Sequence, residues 1–420
     1  MADSAYDARR ARATLGACGG AHILHDGLHD ALYVLLPLWS QAFGLSLVQV
    51  GLLKAAYSGA MALFQVPAGI LAERHGERLL LAGGTIVTGI GYLLLGYAGG
   101  FAALLGLLVV VGLGAGVQHP LSSALVARAY EGGPRRAGLG IYNFTGDLGK
   151  IAIPSSVAVL AGIVGWQSGV IAFGAIGMVA GIVIYLGLRS LGAGAKPDLP
   201  AAPAAAPAGA QAANLDAAAP AETSGGDWGI HNGGAFFAIS AINVIDTAAT
   251  FGFLTFMPFL IIEKGAAVET VGLALALVFG GGAAGKFACG FMAERFGIIR
   301  TVVLTEILTG IGFLLVLVLP LGAILVALPL VGLAMNGTSS VLYASVADFV
   351  SPHRHSRGFA LFYTLGLGAG AVSPPLFGLV SDGYGVPVAL AIIGVMAFAT
   401  LPFCPTLARS MARSKAQADC

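Results

Sequence analysis

The sequence predicts an all-α polytopic membrane protein whose twelve transmembrane helices form two six-helix pseudo-repeats. Three observations carry that prediction. Of 420 residues, 57% are hydrophobic and 10% charged, with a mean hydropathy of +0.88, whereas a soluble domain is about 25% charged. Twelve apolar stretches are each long enough to cross a bilayer, which takes about 20 residues of helix. An Ala/Pro/Gly-rich break divides these stretches six and six.

Cutting the chain at its polar punctuation places the spans at 20–43, 47–71, 79–98, 101–128, 137–164 and 166–188 in the first half. In the second half they fall at 235–262, 270–293, 300–319, 321–349, 356–381 and 386–408. The runs are long and continuous, unlike the short alternating segments of a membrane barrel. Glycine, 63 of 420 residues, is abundant as expected where helices pack closely without water. Residues 1–19 contain acids and no small-residue cleavage site behind an apolar core, so they are expected as a cytoplasmic lead-in rather than a signal peptide. Cys18, Cys289, Cys404 and Cys420 show neither C-x-x-C spacing nor a disulfide framework. A net charge of +1 provides no basic field for nucleic acid.

Orientation follows from Lys and Arg, which accumulate on the cytoplasmic side. Arg9, Arg10, Arg12, Arg74, Arg78, Arg128, Arg135 and Arg136 lie on one side of the first half. On the same side of the rest lie Arg189, Lys196, Arg295, Arg300, Arg354, Arg357, Arg409, Arg413 and Lys415, making seventeen against Lys264 alone on the other. Lys54, Lys150 and Lys286 fall inside spans. Both termini, including the tail 409–420, are therefore expected in the cytoplasm of a bacterial-type inner membrane.

Residues 191–230 cannot bury a core and are expected as a flexible or polyproline-like cytoplasmic linker between bundles at 20–190 and 231–408. The two bundles match in register. At an offset of 221, Pro37 meets Pro258, Gly51 meets Gly272, Gly69 meets Gly290, Glu73-Arg74 meets Glu294-Arg295 and Gly76 meets Gly297. At 220, after one deletion, Gly112 meets Gly332, Gly138 meets Gly358 and Pro154 meets Pro374. The ordered set indicates parallel repeats, an arrangement that places a site between halves.

The segment GILAERHGERLLL (69–81), repeated as GFMAERFGIIR (290–300), resembles the loop signature of the major facilitator superfamily, with Glu73 and Glu294 in place of the usual aspartate. The first half is most similar to the fosmidomycin-resistance type of efflux transporter. That similarity is carried by His22-x-x-His25-Asp26, Pro37, Phe43-x-Leu45-Ser46-x-x-Gln49-x-Gly51, Gln65-x-Pro67-x-Gly69, Gly112-x-Gly114, His119-Pro120, Asn143, Gly146, Gly149 and Pro154. Asp147 and Lys150 depart from it, standing where the family usually keeps small neutral residues. The resemblance implies the major facilitator fold, export, and a cytoplasmic latch built from Gly69, Glu73, Arg74, Gly76 and Arg78, repeated by Glu294 and Arg295. Positive-inside topology is the plainer account of the same charges.

An intramembrane charge costs about 2.5–3.5 kcal/mol on insertion scales, so those present usually face a cavity or a partner. In span 1, His22, His25, Asp26, His29 and Asp30 fall within an arc of roughly 140° on one helix face. Imidazole and carboxylate together suit proton exchange; a polar cluster ordering the helix end is the alternative. Three histidines and two carboxylates could also ligate zinc, but no cysteine or cluster on a second helix joins them, so no metal is expected. In span 2, Lys54, Tyr57, Ser58, Met61 and Gln65 share a face, and Lys54 needs an anion, either Asp26 or Asp30 or a substrate. In span 5, Asn143, Asp147, Lys150 and Pro154 align, and Asp147 and Lys150 at i, i+3 could neutralise each other. In span 7, Asn243, Asp246 and Thr250 share a face, with Asp246 aligned to His25; Lys286 in span 8 aligns with Gln65. Glu306 in span 9 is expected to be structural, and His119-Pro120 in span 4 to mark a kink.

There is no P-loop, G-x-S-x-G, kinase or zinc-hydrolase spacing, so neither an enzyme nor an ATP-driven pump is expected, and no cofactor. The expected function is a monomeric secondary transporter, a proton antiporter exporting a small organic anion or drug by alternating access. His25, Asp26, Asp30 and Asp246 would handle the proton. His22, His29, Lys54, Tyr57, His119, Asn143, Asp147, Lys150, Asn243 and Lys286 would contact the solute. Proton-symport uptake of such an anion, or a non-transporting sensor or assembly protein of the same fold, are the alternatives.

Overall fold

A computed structural model of the chain describes residues 2–131, 135–196, 229–351 and 355–418. All its long elements are helices. Chain contacts divide it into two compact units, the first running to Leu45 and from Ala56 into the linker, the second holding Ser46–Ala55 and the chain beyond the linker.

The first unit contains α1 (Ala2–Phe43), α2 (Leu47–His75), α3 (Glu77–Leu95), α4 (Phe101–Ala115), α5 (Gln118–Ala129), α6 (Arg135–Val164) and α7 (Trp166–Ser190), apart from the opening turns of α2. The second contains α8 (Gly233–Glu263), α9 (Val268–Phe296), α10 (Ile298–Val318), α11 (Leu321–Val346), α12 (His355–Tyr384), α13 (Val386–Ala397) and α14 (Cys404–Ala418). Counting α4 with α5 and α13 with α14 leaves six rods before the linker and six after it. Eleven of the described rods are long and apolar enough to cross a bilayer on that basis alone. The twelfth, α1, has length to spare, but its polar stripe dilutes its hydropathy. Large apolar side chains such as Leu63, Ile163, Phe287 and Val326 stand exposed on the helix surfaces, the pattern of helices made for lipid rather than water.

The two ends of the chain differ from expectation. Residues 1–19 are expected as a separate lead-in, yet α1 runs without interruption from Ala2 to Phe43. The tail beyond 408 likewise continues as α14 to Ala418. Alanine, arginine and other good helix formers in both segments account for the continuation. The expected linker lies outside the described residues over 197–228. Its near edge is held by Arg78 N donating to Gly194 O at 2.9 Å, and its far edge by Ser351 N donating to Gly229 O at 2.8 Å. Arg136, Arg354, Arg357, Arg413 and Lys415, used above for orientation, have side chains outside the described residues.

Proline placement explains the break in the fourth rod. Pro120 has no N–H to offer the carbonyl of Gly116 and its ring crowds that oxygen. The fourth rod accordingly breaks at Gly116–Val117, one turn upstream of the kink expected at His119-Pro120. Its counterpart α11 carries Ser340 at the matching position and stays continuous from Leu321 to Val346.

Each unit repeats the other's construction. Gly76 and Gly297 open α3 and α10 with φ of 84° and 90°, and Gly165 and Gly385 open α7 and α13 with φ of 83° and 88°. Such positive φ values favour glycine. Helix contacts repeat as well. The missing side chain of Gly112 admits the Tyr57 carbonyl, and that of Gly332, 220 residues on, admits the Val278 carbonyl, itself 221 beyond Tyr57. Gly91 against Val111 is matched by Gly312 against Val331, and Gly174 against Leu93 by Gly394 against Leu314. The expected register therefore holds as a set of contacts within each unit.

Candidate functional site

In the first unit the span-1 stripe is met by two other helices. Gly146 and Gly149 let the α6 backbone lie close on α1: a side chain at Gly146 would strike the His22 ring and Asp26, and one at Gly149 would strike the Ile23 carbonyl. This approach brings Lys150 to α1. The break before α5 places His119 in that helix's first turn, opposite the same stripe.

Asp26 is the hub. Its carboxylate is 2.9 Å from His25 Nδ1 and 3.3 Å from His22 Nε2, both on α1. It is also 3.6 Å from His119 Nε2 of α5 and 3.5 Å from Lys150 Nζ of α6. The side chain of Asp26 is 10% exposed and that of Lys150 30%, so the acid is withdrawn and the lysine side chain is less so. His22 Nδ1 lies 2.9 Å from the Tyr142 carbonyl, an acceptor, so this nitrogen carries a proton. The His22 ring also stacks on Tyr142 with centroids 4.2 Å apart. His119 meets His25 and His22 edge-on at 4.7 and 5.2 Å. One turn further along α1, His29 Nε2 is 3.7 Å from Asp30 and its ring meets Tyr57 edge-on at 5.1 Å.

Some pairings go beyond those the spacing suggests. Asp147 is buried beside Gly146 and its charge acts on Lys150 as the i, i+3 spacing suggests; Lys150 also pairs with Asp26 across the α1–α6 contact, a partner that spacing within one helix cannot reveal. The expectation that no second helix joins the span-1 histidines is corrected: His119 does, and His22, Asp26 and His119 offer ligand atoms within 4.8 Å of one another. Asn143 is half-buried on α6. Lys54 is fully buried, with its ammonium 5.5 Å from the Phe251 ring centre.

The second unit repeats the frame with different chemistry. Asn243, matching His22, donates from Nδ2 to the Phe362 carbonyl at 3.0 Å, and Phe362 matches Tyr142. Gly366, matching Gly146, lies against the Asn243 amide. Asp246, matching His25, accepts a hydrogen bond from Ser339 at 3.2 Å, and Ser339 matches His119. Thr247 stands where Asp26 stands and donates to Asn243 Oδ1 at 3.4 Å. Lys286 is half-buried on α9. Glu306, on α10, is fully buried, with Thr338 and Thr400 against its carboxyl. Tyr142, Ser339 and Phe362 were not singled out from the sequence. The internal offset alone could have found Ser339, as the counterpart of His119.

In the last turn of α2, Glu73 and Arg74 are exposed, as are Glu294 and Arg295 in the last turn of α9, and Gly69 is half-buried. The contacts form four residues later, at Glu77 and Arg78. Glu77 pairs with Arg128 at 2.5 Å, Arg78 lies 5.4 Å over the Tyr185 ring, and Gly76 leaves room for the backbone of Gly194–Lys196.

Comparison with known proteins follows this geometry. Residues 20–239 and 236–418 each match the family model of the Major Facilitator Superfamily. Over 159 residues the chain is 31% identical to the "Fosmidomycin resistance protein" of Escherichia coli, covering 38% of this chain and 39% of that one. It is 28% identical over 145 residues to the "Probable sulfoacetate transporter SauU" of Cupriavidus necator, covering 34% of each. The chain thus spans little more than a third of the length of these relatives. The crystal structure of a bacterial homologue of the human lysosomal transporter Spinster, inward-facing and unoccupied, superposes with a TM-score of 0.73 over 96% of each chain at 17% identity, a likeness of fold.

Proposed function

The chain belongs to the Major Facilitator Superfamily, and we propose that it is a proton-coupled secondary transporter of a small organic anion, working by alternating access with both termini in the cytoplasm of a bacterial inner membrane. The observation that carries this reading is the Asp26 hub: one withdrawn carboxylate held by three imidazoles and an ammonium drawn from three helices. Imidazole and carboxylate are the side chains whose proton affinity burial and neighbours can bring to physiological pH. The lysine is the group to which a carboxylate, sulfonate or phosphonate would be drawn. The names of two relatives, fosmidomycin resistance and sulfoacetate transport, agree with a solute of this class.

The first-half resemblance favours export by antiport. The Asp26–Lys150 pair favours a second direction, uptake by symport. A proton on Asp26 frees the ammonium for an external anion, so proton and anion bind together rather than in turn. His25, Asp30 and Asp246 complete the proposed proton-handling set. His22, His29, Lys54, Tyr57, His119, Asn143, Asp147, Asn243 and Lys286 complete the solute-facing one. The Glu73-Arg74 and Glu294-Arg295 loops serve as conformational latches.

The test is flux in proteoliposomes under an imposed pH gradient, with labelled sulfoacetate, a sugar acid and a phosphonate as probes. Movement of an anion against the proton gradient direction supports antiport, and movement with it supports symport. Silence across all three classes, in protein that remains folded, overturns the transport reading in favour of a sensor or assembly role.

A further inference from the structure

We propose that His22, Asp26 and His119 form a binding site for one divalent transition-metal ion of the zinc or cobalt type. The starting point is an acceptor facing an acceptor. His22 commits its Nδ1 proton to the Tyr142 carbonyl at 2.9 Å. Its Nε2 then lies 3.3 Å from Asp26 Oδ2, yet it is buried without a hydrogen-bond partner. His119 Nε2 approaches the other oxygen of the same carboxylate at 3.6 Å. Besides the Lys150 ammonium at 3.5 Å from Oδ2, the space that two imidazole nitrogens and a carboxylate share suits a further positive centre, either a proton or a metal ion.

The geometry suits a metal in three respects. Zinc sits about 2.0–2.2 Å from nitrogen and oxygen ligands, so ligand atoms in a tetrahedral shell are about 3.4 Å apart; His22 Nε2 is 3.3 Å from one Asp26 oxygen and His119 Nε2 3.6 Å from the other, so either oxygen starts near one nitrogen at that spacing. All three ligand atoms are within 4.8 Å of one another. The Nδ1–H of His22 on a backbone carbonyl is the outer-shell bond that fixes a ligating histidine in the required tautomer. His25 adds a second buried Nε2 without a hydrogen-bond partner beside the His119 ring. Two histidines and one carboxylate leave a coordination position open, the pattern of sites that bind an exchangeable ligand. Against this stands the Lys150 ammonium, 3.5 Å from Asp26 Oδ2. It competes with the ion for the carboxylate, and its 30% exposed side chain has room to leave.

The second unit sharpens the inference. Asn243 makes the same bond to its carbonyl that His22 makes, so an amide suffices for that structural task. The further nitrogen of His22 is surplus to it.

The test is a Co²⁺ titration of the full chain, purified in detergent without a histidine tag, read by the visible absorption of low-coordinate cobalt. One ion per chain is expected. His22→Gln and His119→Gln should each lower the affinity at least about tenfold, while the exposed His75→Gln leaves it unchanged. Lys150→Met should raise it about tenfold by removing the competing charge. Absence of binding, or cobalt absorption that survives in both histidine variants, overturns the site. If the histidine variants do not fold, Lys150→Met decides: an affinity equal to that of the unaltered chain is equally fatal. Binding is read on protein at rest, so it stands or falls separately from proton-driven flux.

Discussion

The two units solve one packing problem and then part company in charge. In each, the first helix sends a polar side chain to a backbone carbonyl of the fifth rod, His22 to Tyr142 and Asn243 to Phe362. In each, a glycine at the next turn, Gly146 or Gly366, leaves room for that side chain. Beyond this frame the first unit places Asp26, His119 and Lys150, and the second places Thr247, Ser339 and Gly370 at the matching positions. What both halves share is needed for the helices to pack. What only one half has is where function is to be sought, which is the ground on which the proposed function rests on the Asp26 hub.

The most severe way to break the comparison is to neutralise each acid in turn. Asp26→Asn should reduce proton-driven flux to the protein-free background. It should also destabilise the first unit by about 1–3 kcal/mol, because Lys150 keeps a half-withdrawn charge without its partner. Asp246→Asn, which can still accept from Ser339, should leave measurable coupled flux. Proteoliposome assays and thermal unfolding of the two variants settle the ranking, and equal losses would place the coupling in both units.

A matched pair of insertions comes next. A methyl at Gly146 would lie 2.6–2.7 Å from the His22 ring and Asp26, and one at Gly366 would lie 2.6 Å from the Asn243 amide. Overpacking of this kind costs about 1–3 kcal/mol, so Gly146→Ala and Gly366→Ala should lower thermal stability similarly. Only Gly146→Ala should also abolish coupling, since it alone displaces the hub. Similar transport by both would show that the hub tolerates displacement and carries less than proposed.

Much of this was legible in residue order, and the reason is the solvent. A bilayer demands long apolar helices, charges on one side and a polar interior stripe, and each of these leaves a mark at short range. The span-1 stripe was readable because His22, His25 and Asp26 recur at helical spacing. The Asp26–Lys150 pair was not, because it depends on how closely Gly146 and Gly149 let α6 approach α1. His119 was visible as a residue but not as a member of the cluster, since the break at Gly116–Val117 that presents it is a consequence of Pro120 acting a turn away. The helical extensions at 2–19 and 409–418 were missed for another reason: their polar composition argues against a membrane span and says little against a helix.

Pseudo-symmetry itself can be sharpened with changes remote from either site. Gly112→Ala would drive a methyl into the Tyr57 carbonyl and Gly332→Ala into that of Val278. Backbone cannot swing aside as a side chain can, so each should cost about 3 kcal/mol, the upper end for overpacking. Detergent melting curves should show equal shifts within error. A large loss in one and none in the other would mean that the repeated contact bears load in only one half.

The smallest effect concerns a feature seen at the start of the second unit. Asn232 Oδ1 accepts from Ala235 N at 3.0 Å, capping α8, while its Nδ2 donates to the Ser410 carbonyl on α14 at 3.0 Å. Loss of an asparagine cap costs about 1 kcal/mol, and loss of a neutral hydrogen bond about 0.5–1.5 kcal/mol. Asn232→Ala forfeits both, whereas Asn232→Asp keeps the cap, gains from a carboxylate at the positive end of the helix, and forfeits only the bond to α14. The alanine variant should therefore melt below the aspartate variant by an amount set by the cap, with Co²⁺ affinity at the first-unit site the same in both. If the two variants melt together, the cap contributes nothing and α14 alone fixes the start of α8. If cobalt binding falls with either, the first-unit site depends on the second unit's entry helix, and the division of labour between the halves fails at its weakest point.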